Sequence, residues 1–185
     1  MRSLLLLCVT PILMHAGLIA NGGFETGDFT GWTVTPAQSG SDIFVTTISS
    51  HTGTFAAAFS GSNSGFYDQI SQTIATVPGD TLKLDYWLSP FVGDINKPAD
   101  FFVSWNGTPV PGSDVANLNN GFPFQEYSFD LLATGTSSVV AFSGYDIPNG
   151  FFLDDVSLTD TTAVPEPTVL WGLLGAFLLQ ISRRR

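Results

Sequence analysis

The chain has 185 residues, enough for one domain with short terminal segments. Between residues 17 and 163 it carries 15 acids against two lysines, a formal charge of −13, which argues against nucleic acid or an anionic lipid surface as a partner. One cysteine and two histidines are too few for a disulfide framework or for an ordinary zinc enzyme.

The first 16 residues have the pattern of a secretory signal peptide. Arg2 precedes an apolar run over residues 4–13, and the small residue Ala16 follows it. We expect cleavage after Ala16, with cleavage after Ala20 as the alternative. The only cysteine, Cys8, lies inside this segment and leaves with it.

The body, residues 17–163, reads as strands throughout. Segments rich in Val, Ile, Thr, Phe and Tyr are separated by Gly, Pro, Asn and Ser clusters, and no βαβ rhythm or internal repeat interrupts them. The pattern predicts an all-β fold, an antiparallel β-sandwich. The expected strands are 17–20, 31–36, 42–49, 54–60, 66–76, 80–90, 99–106, 123–132, 136–145 and 150–159.

The segment 81–89 alternates between an apolar row and a polar row, the pattern of a half-buried strand. The apolar row is Leu82, Leu84, Tyr86 and Leu88, and the other row is Lys83, Asp85, Trp87 and Ser89. After the next strand, Asn106-Gly107 has the composition of a tight hairpin turn.

The polar row predicts a binding face, because sugar rings stack on aromatic side chains and sugar hydroxyls need polar partners. We expect Trp87 and Asp85 to contact a ligand, with Phe102 on the same side of the next strand. The alternative is that Trp87 packs against the body. Further polar and aromatic candidates are Tyr67, Asp68 and Gln69, whereas Trp32 and Trp105 are expected in the core.

Catalysis is not expected. The one histidine of the body, His51, lies in a Ser-Ser-His-Thr-Gly turn without the strand–turn–helix setting of a catalytic serine. A glycosidase needs only two carboxyl groups, but no motif singles out a pair.

Both ends of the body carry a resemblance to a known family. The opening, residues 17–25, with Gly31-Trp32, and the ending, residues 151–158, resemble the jelly-roll family that includes many carbohydrate-binding modules. The segments 51–57, 84–88 and 103–108 match its interior strands. The resemblance implies a jelly-roll sandwich over residues 17–163.

The same resemblance implies one structural Ca²⁺ between the first and last strands. Glu25, Asp154 and Asp155 occupy the matching positions, and carboxylates with backbone carbonyls are the ligands that calcium prefers. We expect Asp154 on the core-directed face with Val156 and Leu158. The alternative is that Asp154 accepts backbone N–H bonds instead of binding a metal.

The last segment, residues 164–185, has three parts in order. They are the motif Val164, Pro165, Glu166 and Pro167, an apolar run over residues 169–179, and the cluster Arg183, Arg184 and Arg185. This order resembles the PEP-CTERM sorting tail of exported bacterial proteins, which implies recognition by an exosortase and transient membrane anchoring. The run is short for a membrane span, so a helix packed on the body is the alternative.

Together these features predict an exported, non-catalytic cell-envelope or extracellular-matrix protein that binds or organises exopolysaccharide. A purely structural surface protein without a glycan ligand is the alternative, and a glycan-active enzyme ranks behind both.

The predicted sorting function of residues 164–185 can be tested by mutation. In a host that has exosortase, Glu166→Ala or deletion of residues 183–185 should leave unprocessed or mislocalised protein, because each change removes one element of the signal. Immunoblotting of cell fractions measures this, and processing identical to the natural chain in both variants would contradict the prediction.

Overall fold

The computed structural model describes residues 17–37, 41–61, 65–91, 99–116 and 122–162. These residues form strands and turns. Among them there is no helix long and apolar enough to cross a membrane. The predicted signal peptide, residues 1–16, and the predicted sorting tail, residues 164–185, lie outside the described residues. The strands are β1 (Thr33–Thr35), β2 (Ile43–Thr46), β3 (Ala56–Gly61), β4 (Asp68–Ala75), β5 (Thr81–Phe91), β6 (Ala99–Trp105), β7 (Thr108–Pro109), β8 (Val115–Ala116), β9 (Gln125–Leu132) and β10 (Ser137–Asp160).

Two antiparallel sheets share the long strand β10. Its first half pairs with β4 on one side and β6 on the other, while β1 extends the sheet beyond β4 and β7 and β8 pair with β6; we call this sheet I. Its second half pairs with β3 and β5, with β2 beyond β3 and β9 beyond β5; this is sheet II. The chain alternates between the sheets from β3 to β6. The predicted antiparallel jelly-roll sandwich is confirmed.

Aromatic rings fill the space between the sheets. Phe101 lies 5.4 Å from Phe59, 5.3 Å from Phe151 and 6.2 Å from Phe142, measured between ring centroids. All four side chains are fully buried. Burying such a side chain stabilises the fold by about 1.5–3 kcal/mol. Gly144, opposite Phe101 in β10, leaves room for it, since a Cβ there would lie 2.9 Å from the Phe101 ring.

The expected core tryptophans are in the core. Trp32 stacks on Phe24 with 5.8 Å between ring centroids, and its indole Nε1–H donates to the Asn21 carbonyl over 3.1 Å. Trp105 donates its Nε1–H to the Leu132 carbonyl over 2.9 Å. Both indoles are buried, with their single donors satisfied.

The predicted strand over residues 17–20 is wrong. Leu18 N–H donates to the Leu158 carbonyl, but the next step of a ladder does not form. Instead the Gln72 side chain donates to and accepts from the backbone of Ala20, over 3.0 and 2.8 Å. A side-chain amide therefore satisfies the backbone groups that a neighbouring strand would have paired.

The hairpin turn predicted at Asn106-Gly107 is confirmed. Both residues have positive φ, 52° and 79°, and they join β6 to β7 with Trp105 opposite Thr108. The Asn106 side chain also accepts from Val139 N–H over 2.8 Å, which fixes the turn against β10.

Candidate functional site

The outer face of sheet I carries a row of polar and aromatic side chains. Gln69 of β4, Ser143 of β10 and Phe102 of β6 stand opposite one another in the pairing register, so they share one face of the sheet. Gln69 Nε2 donates to Ser143 Oγ over 2.9 Å. Asp68, the neighbouring sequence candidate, is buried and holds the segment before β2 through Ala37 N–H and Ser41 Oγ.

Three aromatic rings meet on this face. Tyr67 lies edge-on to Phe102, with 5.1 Å between ring centroids and an interplanar angle of 78°, and to Tyr145 at 5.0 Å and 67°. Tyr67 precedes β4, Phe102 is in β6 and Tyr145 is in β10. We call these three residues the Tyr67 cluster.

Two carboxyl groups adjoin the cluster. Asp100 stands opposite Tyr145 in the register, and its Oδ2 accepts a 2.5 Å hydrogen bond from the Tyr67 hydroxyl. The neighbouring Asp114 carboxyl is close enough to raise the pKa of Asp100. Both carboxyls line a pocket of ≈ 240 Å³, which we call the Tyr67 pocket. The residues that line it are Asp100, Phe102, Pro109, Val110, Ser113 and Asp114.

Burial and mutual repulsion set the protonation of this site. Desolvation raises the pKa of Asp100, the hydrogen bond from Tyr67 lowers it, and the neighbouring Asp114 carboxyl raises it again. Desolvation, followed by the hydrogen bond to Asp100, raises the pKa of the Tyr67 phenol, so Tyr67 stays a neutral donor. The pocket therefore offers carboxyl acceptors and aromatic surface together.

The expected face with Trp87, Asp85 and Phe102 side by side is wrong. The strands β5 and β6 follow each other in the chain but lie in different sheets, because β5 pairs with the second half of β10 and β6 with its first half. Trp87 and Asp85 are on the outer face of sheet II, on the row opposite Leu84 and Tyr86, as predicted. Phe102 is on the outer face of sheet I.

One face of the Trp87 indole is covered. The His51 ring stacks on it with 3.7 Å between centroids and an interplanar angle of 11°. Asp85 Oδ1 lies 3.0 Å from Lys83 Nζ on the same strand. The roles of Trp87 and Asp85 as ligand contacts stay predictions, and the geometry assigns Trp87 a packing contact.

The residues proposed for calcium converge on the turn that contains His51, at the outer face of sheet II. Asp154 Oδ2 accepts from the backbone N–H of His51 over 2.7 Å and of Thr52 over 3.1 Å. Asp155 Oδ2 lies 2.6 Å from His51 Nδ1, and Asp155 Oδ1 accepts from Thr52 Oγ1 over 2.7 Å. Glu25 Oε1 accepts from the N–H groups after this turn, over 2.8 and 2.9 Å. We call Glu25, Asp154 and Asp155 the chain-end carboxylates.

Asp154 does not share a face with Val156 and Leu158 as predicted. The pairing of β10 with β5 shifts between Asp154 and Ser157, and Asp155 has a positive φ of 48°. This bulge inserts one residue into the alternation, so Asp154 stands opposite Trp87 on the outer side. It is nevertheless buried under the His51 turn, and burial raises its pKa to about 6 against the three N–H bonds that lower it.

The chain-end carboxylates supply the kind of oxygen ligands that calcium prefers. Gly53, with φ of +61°, approaches Glu25 so closely that a Cβ would lie 2.3 Å from Oε1, and a Cβ on Gly23 would lie 3.5 Å from Asp155 Oδ1. In their present positions these oxygens accept from N–H and O–H donors. No group of three or more His, Cys, Asp or Glu side chains in the described part of the chain is arranged as a metal site.

A second concavity, of ≈ 250 Å³, lies on sheet II and is mostly apolar. Its lining consists of Phe44, Ile48, Ala58, Ser60, Phe91, Gly150 and Phe152. It lacks the carboxyl groups of the Tyr67 pocket, so sugar hydroxyls would find fewer partners there.

Sequence reasoning missed Asp100, Asp114 and Tyr145. The alternation in 99–105 was sufficient to place Asp100 on the face of Phe102, two residues away. Tyr145 becomes a neighbour only through the pairing of β10 with β6, and Asp114 lies in the turn between β7 and β8. No local pattern identifies those two.

The chain was compared with known proteins. No protein-family model matches it, and no curated protein sequence matches it. Solved structures do match. A carbohydrate-binding module, TmCBM61, in complex with β-1,4-galactotriose, is 19% identical with a TM-score of 0.54, over 78% of this chain and 99% of that one. The CBM22-1 xylan-binding domain of Paenibacillus barcinonensis Xyn10C is 16% identical with a TM-score of 0.56, over 77% and 94%. A family 16 carbohydrate-binding module is 18% identical with a TM-score of 0.54, over 77% and 99%.

These comparisons define the class of fold. The described body is a jelly-roll β-sandwich of the kind found in carbohydrate-binding modules. At such low identity the likeness concerns the fold, and the site has to be argued from its own residues.

Asp154 generates a stability prediction. Asp154→Ala leaves the partly buried N–H groups of His51, Thr52 and Asp155 without their acceptor, so the free energy of unfolding should fall by about 2–4 kcal/mol. Chemical denaturation in the presence of chelator measures this. Thr73→Ala, at an exposed position of β4, is the control, and equal stability of both variants would contradict the network.

Proposed function

We propose that the body of this protein is a non-catalytic glycan-binding domain and that the Tyr67 pocket is its binding site. One observation carries the proposal. The Tyr67 cluster, on the outer face of sheet I, adjoins a pocket that contains two carboxyl groups, and Phe102 of the cluster lines that pocket. The Phe102 ring offers a surface for the apolar face of a pyranose. Asp100 and Asp114 offer partners for its hydroxyls.

The carboxyl pair supports binding more than hydrolysis. Glycosidases hold their two carboxyl groups about 5–9.5 Å apart so that the scissile bond, or the bond and a water, fits between them. Asp100 and Asp114 instead adjoin in one small pocket, where Asp114 raises the pKa of Asp100, and a pair this close is a poor fit for a glycosidic bond between its members. The pair is suited to accepting hydrogen bonds.

The terminal segments support a location for this binding. The signal-peptide pattern of residues 1–16 and the tail motif from Val164 to Pro167 with the terminal arginines favour export and sorting by an exosortase. In this proposal the domain reaches the cell surface or the extracellular matrix and binds or organises exopolysaccharide there. The galactotriose and xylan named for the structural neighbours make a neutral polysaccharide a reasonable first ligand to test.

Glycan binding is tested by an array screen followed by titration with the best ligand. Phe102→Ala removes the stacking surface, and loss of about 1–3 kcal/mol of binding free energy, roughly a five- to hundredfold weaker affinity, is expected. Trp87→Ala on sheet II is the comparison and should retain affinity. A stronger effect of Trp87→Ala would move the site to sheet II. Absence of any glycan binding would favour a purely structural surface protein.

We also propose one structural Ca²⁺ at the chain-end carboxylates. The ion would be held by carboxylate oxygens of Glu25, Asp154 and Asp155, and its positive charge would offset three acidic groups in close proximity. Asp155 would have to turn an oxygen away from His51 or Thr52 to reach it. Such a site would tie the start of the body to β10.

The calcium proposal predicts a melting temperature that rises with calcium. A ligand bound only by the folded state at a hundredfold excess over its Kd adds about 2.7 kcal/mol of stability. Glu25→Gln keeps an oxygen that can accept from Thr54 and Phe55 but removes the charge, so it should abolish the calcium response while the melting temperature in chelator changes little. A natural chain whose melting temperature ignores calcium would refute the site.

A further inference from the structure

The charged groups described around the Tyr67 pocket are all acidic. The titratable groups that face Asp100 are Tyr67 from the segment before β4 and Asp114 from the turn after β7, and Tyr145 of β10 faces Tyr67. Lys83, the one lysine among the described residues, lies on sheet II beside Asp85. Nothing described in the pocket neutralises the two carboxyls.

One oxygen of this pair needs a donor. With both carboxyls ionised, Asp100 Oδ1 is buried and has no hydrogen-bond partner, whereas Oδ2 is held by Tyr67. Asp114 lines the same pocket and adds a second carboxyl group, which raises the pKa of Asp100. A buried acceptor without a donor costs free energy, which a ligand donor can recover.

The rings of the Tyr67 cluster favour a cation in the same place. Aromatic rings attract ammonium groups to their faces, and the attraction grows when the cation loses water. Phe102 lines the pocket beside Asp100, and Tyr67 contacts both of them. Aromatic surface with adjoining carboxylates is the combination that holds an ammonium group.

We propose that the Tyr67 pocket selects cationic amino-sugar units, so that the ligand is a polysaccharide with free amino groups. This inference rests on the proposed glycan-binding function and names its ligand class. The ammonium group donates to the unpartnered Asp100 Oδ1, and its positive charge offsets the carboxylates of Asp100 and Asp114. The sugar ring stacks on Phe102, and the rest of the polymer lies outside the pocket.

The same charges exclude other glycans from the pocket. A uronic acid would place a third carboxylate beside Asp100 and Asp114, and like charges in a desolvated site repel strongly. An N-acetylated amino sugar has no positive charge to offset the two carboxylates. The body's formal charge of −13 also attracts a polycation at long range, an attraction that salt weakens.

The test compares hexamers of similar length that carry positive, neutral or negative sugar units. We would titrate the full chain, kept in solution with a non-ionic detergent, with the β-1,4-linked glucosamine hexamer, its fully N-acetylated counterpart, a neutral glucan hexamer and a uronic acid hexamer. At about pH 6 the amine is protonated. The glucosamine hexamer should bind about tenfold or more tightly than the neutral ones, with an affinity that falls as salt is added, and the uronic acid hexamer should not bind.

Variants assign the effect to the pocket. Asp100→Asn and Asp114→Asn should each weaken glucosamine-hexamer binding by about tenfold or more while affinity for the neutral hexamer changes little. Asp130→Asn, at an exposed position of β9, removes the same charge elsewhere and should have no such effect.

Two outcomes separate the claims. If the neutral hexamers bind as tightly as the glucosamine hexamer and the two Asp variants do not discriminate between them, the amino-sugar inference is overturned and glycan binding stands. If none of the four hexamers binds to the folded chain, the proposed function fails with it. If Asp130→Asn weakened binding as much as Asp100→Asn, the preference for the glucosamine hexamer would come from the overall charge of the protein and not from the pocket. That result would also overturn the inference.

Discussion

The pairing of β10 with four other strands is the constraint on which the rest of the structure depends. Its 24 residues belong to sheet I in the first half and to sheet II in the second. Side chains of this one strand, such as Phe142 and Phe151, therefore enter the core from both sheets and meet around Phe101. Displacing β10 would remove the centre of both sheets together. The fold is stabilised chiefly by contacts far apart in sequence, as in other sandwiches.

The bulge in β10 determines which side chains near the end of that strand face the core and which face outward. If β10 ran through Asp155 without a bulge, the alternation set by Val156 and Leu158 would direct Asp154 to the core, where a carboxylate without partners is very costly. With the bulge, Asp154 lies under the His51 turn and accepts three backbone N–H groups. The positive φ of Asp155 is unfavourable for a residue with a side chain, and the hydrogen bonds of its carboxylate to His51 and Thr52 offset that cost.

The sequence was sufficient for the class of fold and for most strands, because alternation reports burial directly. The row Leu82, Leu84, Tyr86 and Leu88 is buried, and its neighbours face outward as predicted. Alternation says nothing of which sheet a strand joins, so Phe102 was placed beside Trp87 although the two strands lie in different sheets. It also fails across a bulge, which is why Asp154 was assigned to the wrong face. The short strands β7 and β8 lack enough residues to show a period.

The two outer faces are used differently, and this difference separates structure from function. On sheet II the polar groups have partners that stabilise the fold: His51 covers Trp87, and the chain-end carboxylates hold the turn and the beginning of the body. On sheet I, Tyr67 and Phe102 lie on the outer face and do not fill the core between the sheets. Desolvation of Asp100 and its repulsion by the neighbouring Asp114 carboxyl both oppose stability. Selection for stability alone does not explain two carboxyl groups placed in one pocket beside aromatic rings. Such departures from local consistency concentrate at functional sites, so the Tyr67 pocket, and not the better satisfied network around His51, is where a ligand is to be sought.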